Sequence, residues 1–195
     1  MKKVLFAAAL VALSITAAQA APITYTAVLS GLNEIPSVTT TGTGSATITY
    51  DPVTHLLGLD INFANLVSPT TASHIHCCTA QPGNNAGVAT TTPTFAGFPL
   101  GVTSGTYVNT LDLTLASSYN PAFVNNVAGG SLVMAEALLT AGLGNNMSYL
   151  NIHTVFNPTG EIRGQIQAVN VPDTTATIAL LAIGVVAAVI FTPKA

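Results

Sequence analysis

The chain has 195 residues, of which only 6% are charged, with 4 Lys and Arg against 7 Asp and Glu. Because so few cations cannot neutralise a phosphate backbone, the composition excludes nucleic acid as a partner. Hydrophobic residues make up 49% of the chain, which excludes a disordered acidic segment.

Residues 1–20 have the layout of a secretory signal peptide. Lys2 and Lys3 form a basic start, a short apolar stretch follows over 4–15, and Ala18-Gln19-Ala20 is an A-x-A cleavage site. The apolar stretch is too short for a typical transmembrane anchor. The pattern predicts export, and it is typical of a bacterial or archaeal protein.

Residues 21–170 have the length of one domain, with one Arg and six acids. Short alternating segments bounded by Gly, Pro and Asn predict a mainly β fold, an antiparallel β-sandwich with a Greek-key-like order. The predicted strands are 23–29, 45–50, 55–63, 106–115, 149–154 and 161–169. One or two short helices are expected, at 120–127 and 131–141, with a long loop over 83–105.

The segment Ser73-His74-Ile75-His76-Cys77-Cys78 carries the densest chemistry of the chain. On a strand, His74 and His76 point to the same side, about 6.5–7 Å apart at Cα. His153 lies on a second predicted strand, on the face opposite Leu150 and Ile152. Three histidines from two strands can hold Cu or Zn. The alternative is structural, with imidazoles that hydrogen-bond backbone carbonyls and fix the loop geometry.

Cys77 and Cys78 are the only cysteines, so no distant partner exists for either of them. In an oxidising compartment they can form a vicinal disulfide, stay a thiol pair, bond another chain or ligate a soft metal. Since a Cys-x-x-Cys motif is absent, a catalytic redox pair is the least favoured of these interpretations.

The last predicted strand contains Glu161 and Arg163, the only Arg of the domain. Arg163 can pair with Glu161 or with an acid on a neighbouring strand, or it can pin a loop. An exposed pair of this kind contributes only about 0–1 kcal/mol. A structural role is therefore expected.

Residues 171–195 form a separate C-terminal tail. The run 178–191 is apolar with interspersed Gly, and it has no polar face at a helical period. It predicts a hydrophobic helix that inserts into a membrane. The preceding Val171-Pro172-Asp173 resembles the sorting signals of bacterial surface proteins, of the Val-Pro-Asp-Ser-Gly or PEP-CTERM type. That resemblance implies recognition by a sorting transpeptidase; otherwise the tail stays as an anchor.

Several motifs of the domain resemble the chordin (CHRD) domain family over most of residues 24–168. They are Leu29-Ser30-Gly31-Leu32-Asn33-Glu34-Ile35-Pro36, Gly42-Thr43-Gly44-Ser45-Ala46, Ala72-Ser73-His74-Ile75-His76, Tyr149-Leu150-Asn151-Ile152-His153-Thr154 and Pro158-Thr159-Gly160-Glu161-Ile162-Arg163-Gly164-Gln165-Ile166. The resemblance implies a secreted all-β domain and assigns structural roles to Asn33, Glu34, Pro36, Asn151, Glu161 and Arg163. In animal chordins such domains occur in proteins that bind growth factors.

Two functions follow from these observations. The first is a binding or structural module at the cell surface, anchored in the membrane and facing an extracellular protein or matrix ligand. The second is a mononuclear Cu or Zn protein that uses His74, His76 and His153, with Cys77 as a further ligand, similar to the superoxide dismutase sandwich. With four histidines in the domain, the two-metal set of that enzyme cannot be built. No nucleophile and base are paired in the sequence, which disfavours an enzyme.

Overall fold

The computed structural model describes residues 20–169. The predicted signal peptide and the predicted tail, with Val171, Pro172 and Asp173, lie outside these residues except for Ala20. Among the described residues, none of the helices has the length and apolar character needed to cross a membrane.

Eight antiparallel strands form one continuous sheet in the described part of the chain. The strands are β1 (Ile23–Ser30), β2 (Thr43–Asp51), β3 (Leu56–Ala64), β4 (Thr70–Cys77), β5 (Gly105–Asp112), β6 (Ser148–Thr154), β7 (Ile162–Gln165) and β8 (Gln167–Ala168). Their spatial order is β4-β6-β7-β1-β2-β3-β5, and the short β8 pairs with β1. The mainly β prediction is confirmed, and most predicted strands lie within a few residues of observed ones.

The sheet curls into a half-barrel instead of separating into the two layers of the predicted sandwich. Short ladders join what would otherwise be two sheets: Ser30 of β1 pairs with Arg163 of β7, and Tyr25 pairs with Ala168 of β8. Because each strand is rotated against its neighbour in the same sense, a sheet of this width curls. Local alternation predicts the strands correctly, but it does not determine whether distant strands share one sheet.

The concave face of the sheet holds the apolar core. Alternate residues of β1, β2 and β3 point into it, such as Leu29, Ile48 and Ile61, each at most 1% exposed. Ile75 of β4 and Ile152 of β6 are fully buried on the same inner side. Because side chains alternate along a strand, the residues next to the inward-facing ones on β4 and β6 point outward.

One α-helix, α1 (Leu132–Gly144), covers part of the core. It begins where predicted, because the Ser131 hydroxyl accepts a hydrogen bond from the Met134 amide at 3.3 Å. Ala135, Leu139 and Leu143 of α1 are fully buried and form part of the core. The second predicted helical piece is only a π-type turn over Phe123–Val127, so the helix count is at the lower expectation.

Two segments lie over the outer face of β4, β6 and β7. The segment 78–104 connects β4 and β5, which lie at opposite edges of the sheet. It runs along β4, where the Ala89 amide donates to the Ile75 carbonyl at 2.9 Å and the Phe95 amide to the Ser73 carbonyl at 3.1 Å. The second segment, 31–38, follows β1. Together these covering segments shield outward-facing side chains from solvent.

Candidate metal centre

The three predicted histidines come together beneath the covering segments. In the β4–β6 register, Ala72 pairs with His153 and His74 pairs with Asn151, so His153 lies diagonally across from His74. One ring nitrogen from each of His74, His76 and His153 lies within 4.8 Å of the other two. His74 Nδ1 and His153 Nε2 are 3.3 Å apart. Three nitrogens bound to one ion at about 2.0–2.1 Å lie roughly 3.3–3.6 Å apart, so a small contraction would complete a site.

The other nitrogen of each ring is hydrogen-bonded to a backbone carbonyl. His74 Nε2 lies 2.5 Å from Pro93 O, His76 Nδ1 2.9 Å from Ala86 O and His153 Nδ1 3.0 Å from Pro158 O. A carbonyl only accepts hydrogen bonds, so each of these nitrogens carries the proton and donates it. In a neutral ring the remaining nitrogen then offers a lone pair, and these three nitrogens face one another.

Burial keeps the three rings neutral. Desolvation lowers the pKa of His76 and of His153 to about 4, in each case against the opposing effect of the carbonyl hydrogen bond. Desolvation also lowers the pKa of His74. At neutral pH the cluster therefore presents three unprotonated nitrogens. His76 Nε2 is buried and has no hydrogen-bond partner, an arrangement that is costly unless something binds there.

Cys77 lies on the other side of β4 from His76, and Cys78 follows the end of the strand. Their Sγ atoms are bonded to each other, and no cysteine in the described residues is free. They pack against α1, where a Cβ on Gly142 would come within 2.4 Å of Cys77 Sγ. The interpretation of Cys77 as a fourth ligand therefore does not hold, because alternation directs its side chain toward the helix and away from the histidines.

Arg163 pins the covering segments and has no acidic partner. Its guanidinium donates to the carbonyl of Asn33, to Asn85 Oδ1 at 2.6 Å and to the carbonyl of Gly83 at 2.8 Å. Within residues 20–169 no carboxylate lies within 4.0 Å of it. Of the alternatives that the sequence left open, pairing of Arg163 with Glu161 or another described acid does not occur, whereas the loop-pinning role fits these contacts.

Glu161 instead lies at the inner side of the sheet and is completely buried. Its carboxylate accepts hydrogen bonds from Thr40 Oγ1 at 2.6 Å, from Thr154 Oγ1 at 2.7 Å and from the amide of Val67 at 2.8 Å. Strict alternation over the predicted strand 161–169 would place Glu161 on the same face as Arg163. The prediction was wrong because β7 begins only at Ile162.

Glu34 and Asn151 form a second buried polar pair on the outer face. Asn151 Nδ2 lies 3.4 Å from Glu34 Oε2, while Glu34 Oε1 and Asn151 Oδ1 have no partner. Desolvation raises the pKa of Glu34 to about 7, with the charge of Arg163 acting in the opposite direction. Gly160 lies against this pair, since a Cβ there would come within 2.6 Å of Glu34 Oε1. Pro36 lies in the same covering segment, and the peptide bond between Ile35 and Pro36 is cis.

Tyr149 is the residue of this site to which the sequence assigned no role. Its ring stacks on the His76 ring with centroids 4.7 Å apart. The guanidinium carbon of Arg163 lies over the Tyr149 ring, 4.5 Å from its centroid. The Tyr149 hydroxyl also lies 3.3 Å from the amide and from the carbonyl oxygen of Ala86. The only available signal was its position on the same strand face as Asn151 and His153.

A model of the CHRD domain family matches residues 25–166. Comparisons with curated proteins and with solved structures found no match. The matched region includes Glu34 and the strands β4, β6 and β7, which carry the three clustered histidines, Asn151 and Arg163.

Proposed function

Since the chain belongs to the CHRD domain family, we propose that it is a binding module whose ligand at the histidine cluster is a single Cu or Zn ion. The observation that carries this proposal is the convergence of three unprotonated imidazole nitrogens from His74, His76 and His153. A merely structural cluster would satisfy its nitrogens within the protein, whereas here His76 Nε2 is buried without a partner.

The surroundings of the rings support the same proposal. Histidines that bind a metal usually donate their other ring proton to a carbonyl or carboxylate, which fixes the tautomer and the ring orientation. All three rings have such a carbonyl, from Ala86, Pro93 and Pro158. Imidazole ligands suit Cu and Zn, while Mg and Ca prefer oxygen.

Metal analysis of the purified full chain tests the proposal. We expect about one Cu or Zn per chain after loading and desalting, and a loss of at least roughly 100-fold in affinity in His74→Ala. His55→Ala is the matched control, because His55 lies away from the cluster, with Nδ1 2.7 Å from Glu136 Oε1. Absence of metal in the wild type, or equal binding by His74→Ala, would refute the metal centre.

The cellular place of the module is a second part of the proposal and rests on the sequence alone. Residues 1–20 would direct export, and the tail 171–195 would hold the domain at the cell surface, with a sorting transpeptidase or the membrane itself as partner. In that position an extracellular protein or matrix component could also be bound. Deleting residues 171–195 is expected to release the protein into the medium; unchanged retention at the surface would contradict anchoring.

A further inference from the structure

The metal cluster has an unusual electrostatic neighbour. Arg163 is the only Lys or Arg between residues 20 and 169, and it is 3% exposed. Buried charges are normally paired with an opposite charge, because removal from water is costly. Arg163 is held instead by neutral oxygens of Asn33, Asn85 and Gly83. Its positive charge therefore remains uncompensated at short range.

Tyr149 lies next to both the Arg163 guanidinium and the His76 ring. The guanidinium carbon lies 4.5 Å from the Tyr149 ring centroid, and the Tyr149 ring lies 4.7 Å from that of His76, nearly parallel at 8°. The guanidinium is thus within about 9 Å of the His76 ring, and Arg163, Tyr149 and His76 are all buried. An ion held by His76 would feel this charge across a medium that contains little water.

The other charged groups do little to offset it. The three candidate ligands are neutral, so they bring no negative charge to an ion. Arg163 acts to lower the pKa of Glu34, but desolvation raises that pKa to about 7, which leaves Glu34 partly protonated at neutral pH. Glu161 is bound by Thr40, Thr154 and Val67 at the inner side, and the remaining acids lie on β2, β3, β5 and α1.

We propose that the centre selects its metal by charge, favouring monovalent Cu(I) over divalent Zn(II), and that Arg163 is the positioning residue that sets this preference. The inference rests on the proposed metal-binding function. Zn(II) carries twice the charge of Cu(I), so the electrostatic repulsion between Arg163 and Zn(II) is twice as large. At about 10 Å and an effective dielectric constant of about 20, this added repulsion changes the affinity ratio roughly tenfold.

Competition titrations on the purified full chain test the proposal. Cu(I) affinity is measured under anaerobic conditions with ascorbate and a chromophoric Cu(I) chelator, and Zn(II) affinity with a chromophoric Zn(II) chelator. We expect the wild type to bind Cu(I) more tightly than Zn(II). In Arg163→Met the ratio of the two association constants should fall roughly tenfold, while Arg163→Lys, which keeps the charge, should keep the ratio.

A second variant neutralises Arg163 without removing it. Asn85→Asp places a carboxylate where Asn85 Oδ1 now accepts from Arg163 at 2.6 Å, so the contact is retained and the charge is cancelled. We expect the Cu(I) preference to fall as in Arg163→Met. Asn84→Asp is the matched control, since it adds the same charge at an exposed neighbouring position and should have a smaller effect.

The outcomes separate this inference from the metal centre itself. If no metal binds, the proposed function fails. If metals bind but Zn(II) is preferred in the wild type, or if the ratio is unchanged in both Arg163→Met and Asn85→Asp, only the charge selection is refuted. A purely structural role of Arg163 would weaken both metals alike in Arg163→Met and Arg163→Lys, with no change in ratio.

Discussion

The outer face of the sheet has two ends with the same alternation but opposite surroundings. At the open end, formed by β2, β3 and β5, outward residues such as Thr47, Asp60 and Val108 are exposed. At the covered end, formed by β4, β6 and β7, the outward residues His74 and Asn151 are buried. The strands themselves do not cause this difference, because both ends have one apolar face turned to the core.

This difference shows that the covering segments create the environment of the histidine cluster. Segment 78–104 contributes the carbonyls of Ala86 and Pro93 and shields His76 and His74 from water. Without it, two histidines on an outer sheet face would be solvated side chains that titrate near their usual pKa. Covering this end of the sheet thus turns surface histidines into neutral, oriented donors.

The largest expected effect is the loss of the buried Glu161 carboxylate, which lies on the inner side of the sheet. Glu161→Ala leaves the hydroxyls of Thr40 and Thr154 and the amide of Val67 without their acceptor. We expect the free energy of unfolding to fall by about 3 kcal/mol or more in denaturant titrations. Asp60→Ala at the open end is the control and should change it by less than about 0.5 kcal/mol. Equal effects would show that the buried Glu161 carboxylate stabilises the fold no more than the exposed Asp60 does.

The pH dependence of stability gives the next effect. His76 and His153 have a pKa of about 4 in the folded chain and 6.5 in the reference state, so between these values the unfolded chain binds more protons. The free energy of unfolding should therefore fall as the pH drops from 6.5 toward 4. Glu34, with a pKa raised from 4.5 to about 7, acts in the opposite sense. The two histidines outweigh it, and the lowered pKa of His74 acts in the same direction as theirs, so the net slope should be at least about 1.4 kcal/mol per pH unit.

Urea titrations with chelator between pH 4.5 and 6.5 measure that slope. His76→Phe removes one of the groups that titrate, so its slope should be smaller by about 1.4 kcal/mol per pH unit. A wild-type stability that does not change over this range would show that the rings are not neutral by burial.

A smaller effect is expected where α1 meets the strand that carries the cysteines. Gly142→Ala would place a Cβ 2.4 Å from Cys77 Sγ and 2.7 Å from Ser148 Oγ, which should destabilise the fold by about 1–3 kcal/mol. Gly144→Ala is the matched control, because no atom lies within 4 Å of its added Cβ. Thermal unfolding should separate the two, and a lower melting temperature for Gly144→Ala than for Gly142→Ala would contradict this packing.

The smallest effect is expected at the open end. Val108→Thr replaces a side chain that is 76% exposed with another β-branched one. The free energy of unfolding should change by less than about 0.5 kcal/mol. A loss of more than about 1 kcal/mol in the same denaturant titration would show that something covers this face as well.

Much of the strand content and the three histidines could be predicted because they depend on local patterns. A period of two places His74 and His76 on one side of a strand whatever lies around them. The side of Glu161 could not be predicted in this way, since it depends on where β7 begins. The hydrogen-bond partners of Arg163 could not be predicted either, because Asn33, Gly83 and Asn85 are distant from it in sequence.

The sequence by itself determined the alternation, the helix start at Ser131 and the few ionisable groups that the domain has to place. Only the tertiary structure decided that the strands form one curled sheet, that three imidazoles meet, and that Arg163 lies over Tyr149, which stacks on His76. Periodicity is a property of neighbouring residues, whereas desolvation and convergence depend on which distant segment covers a face.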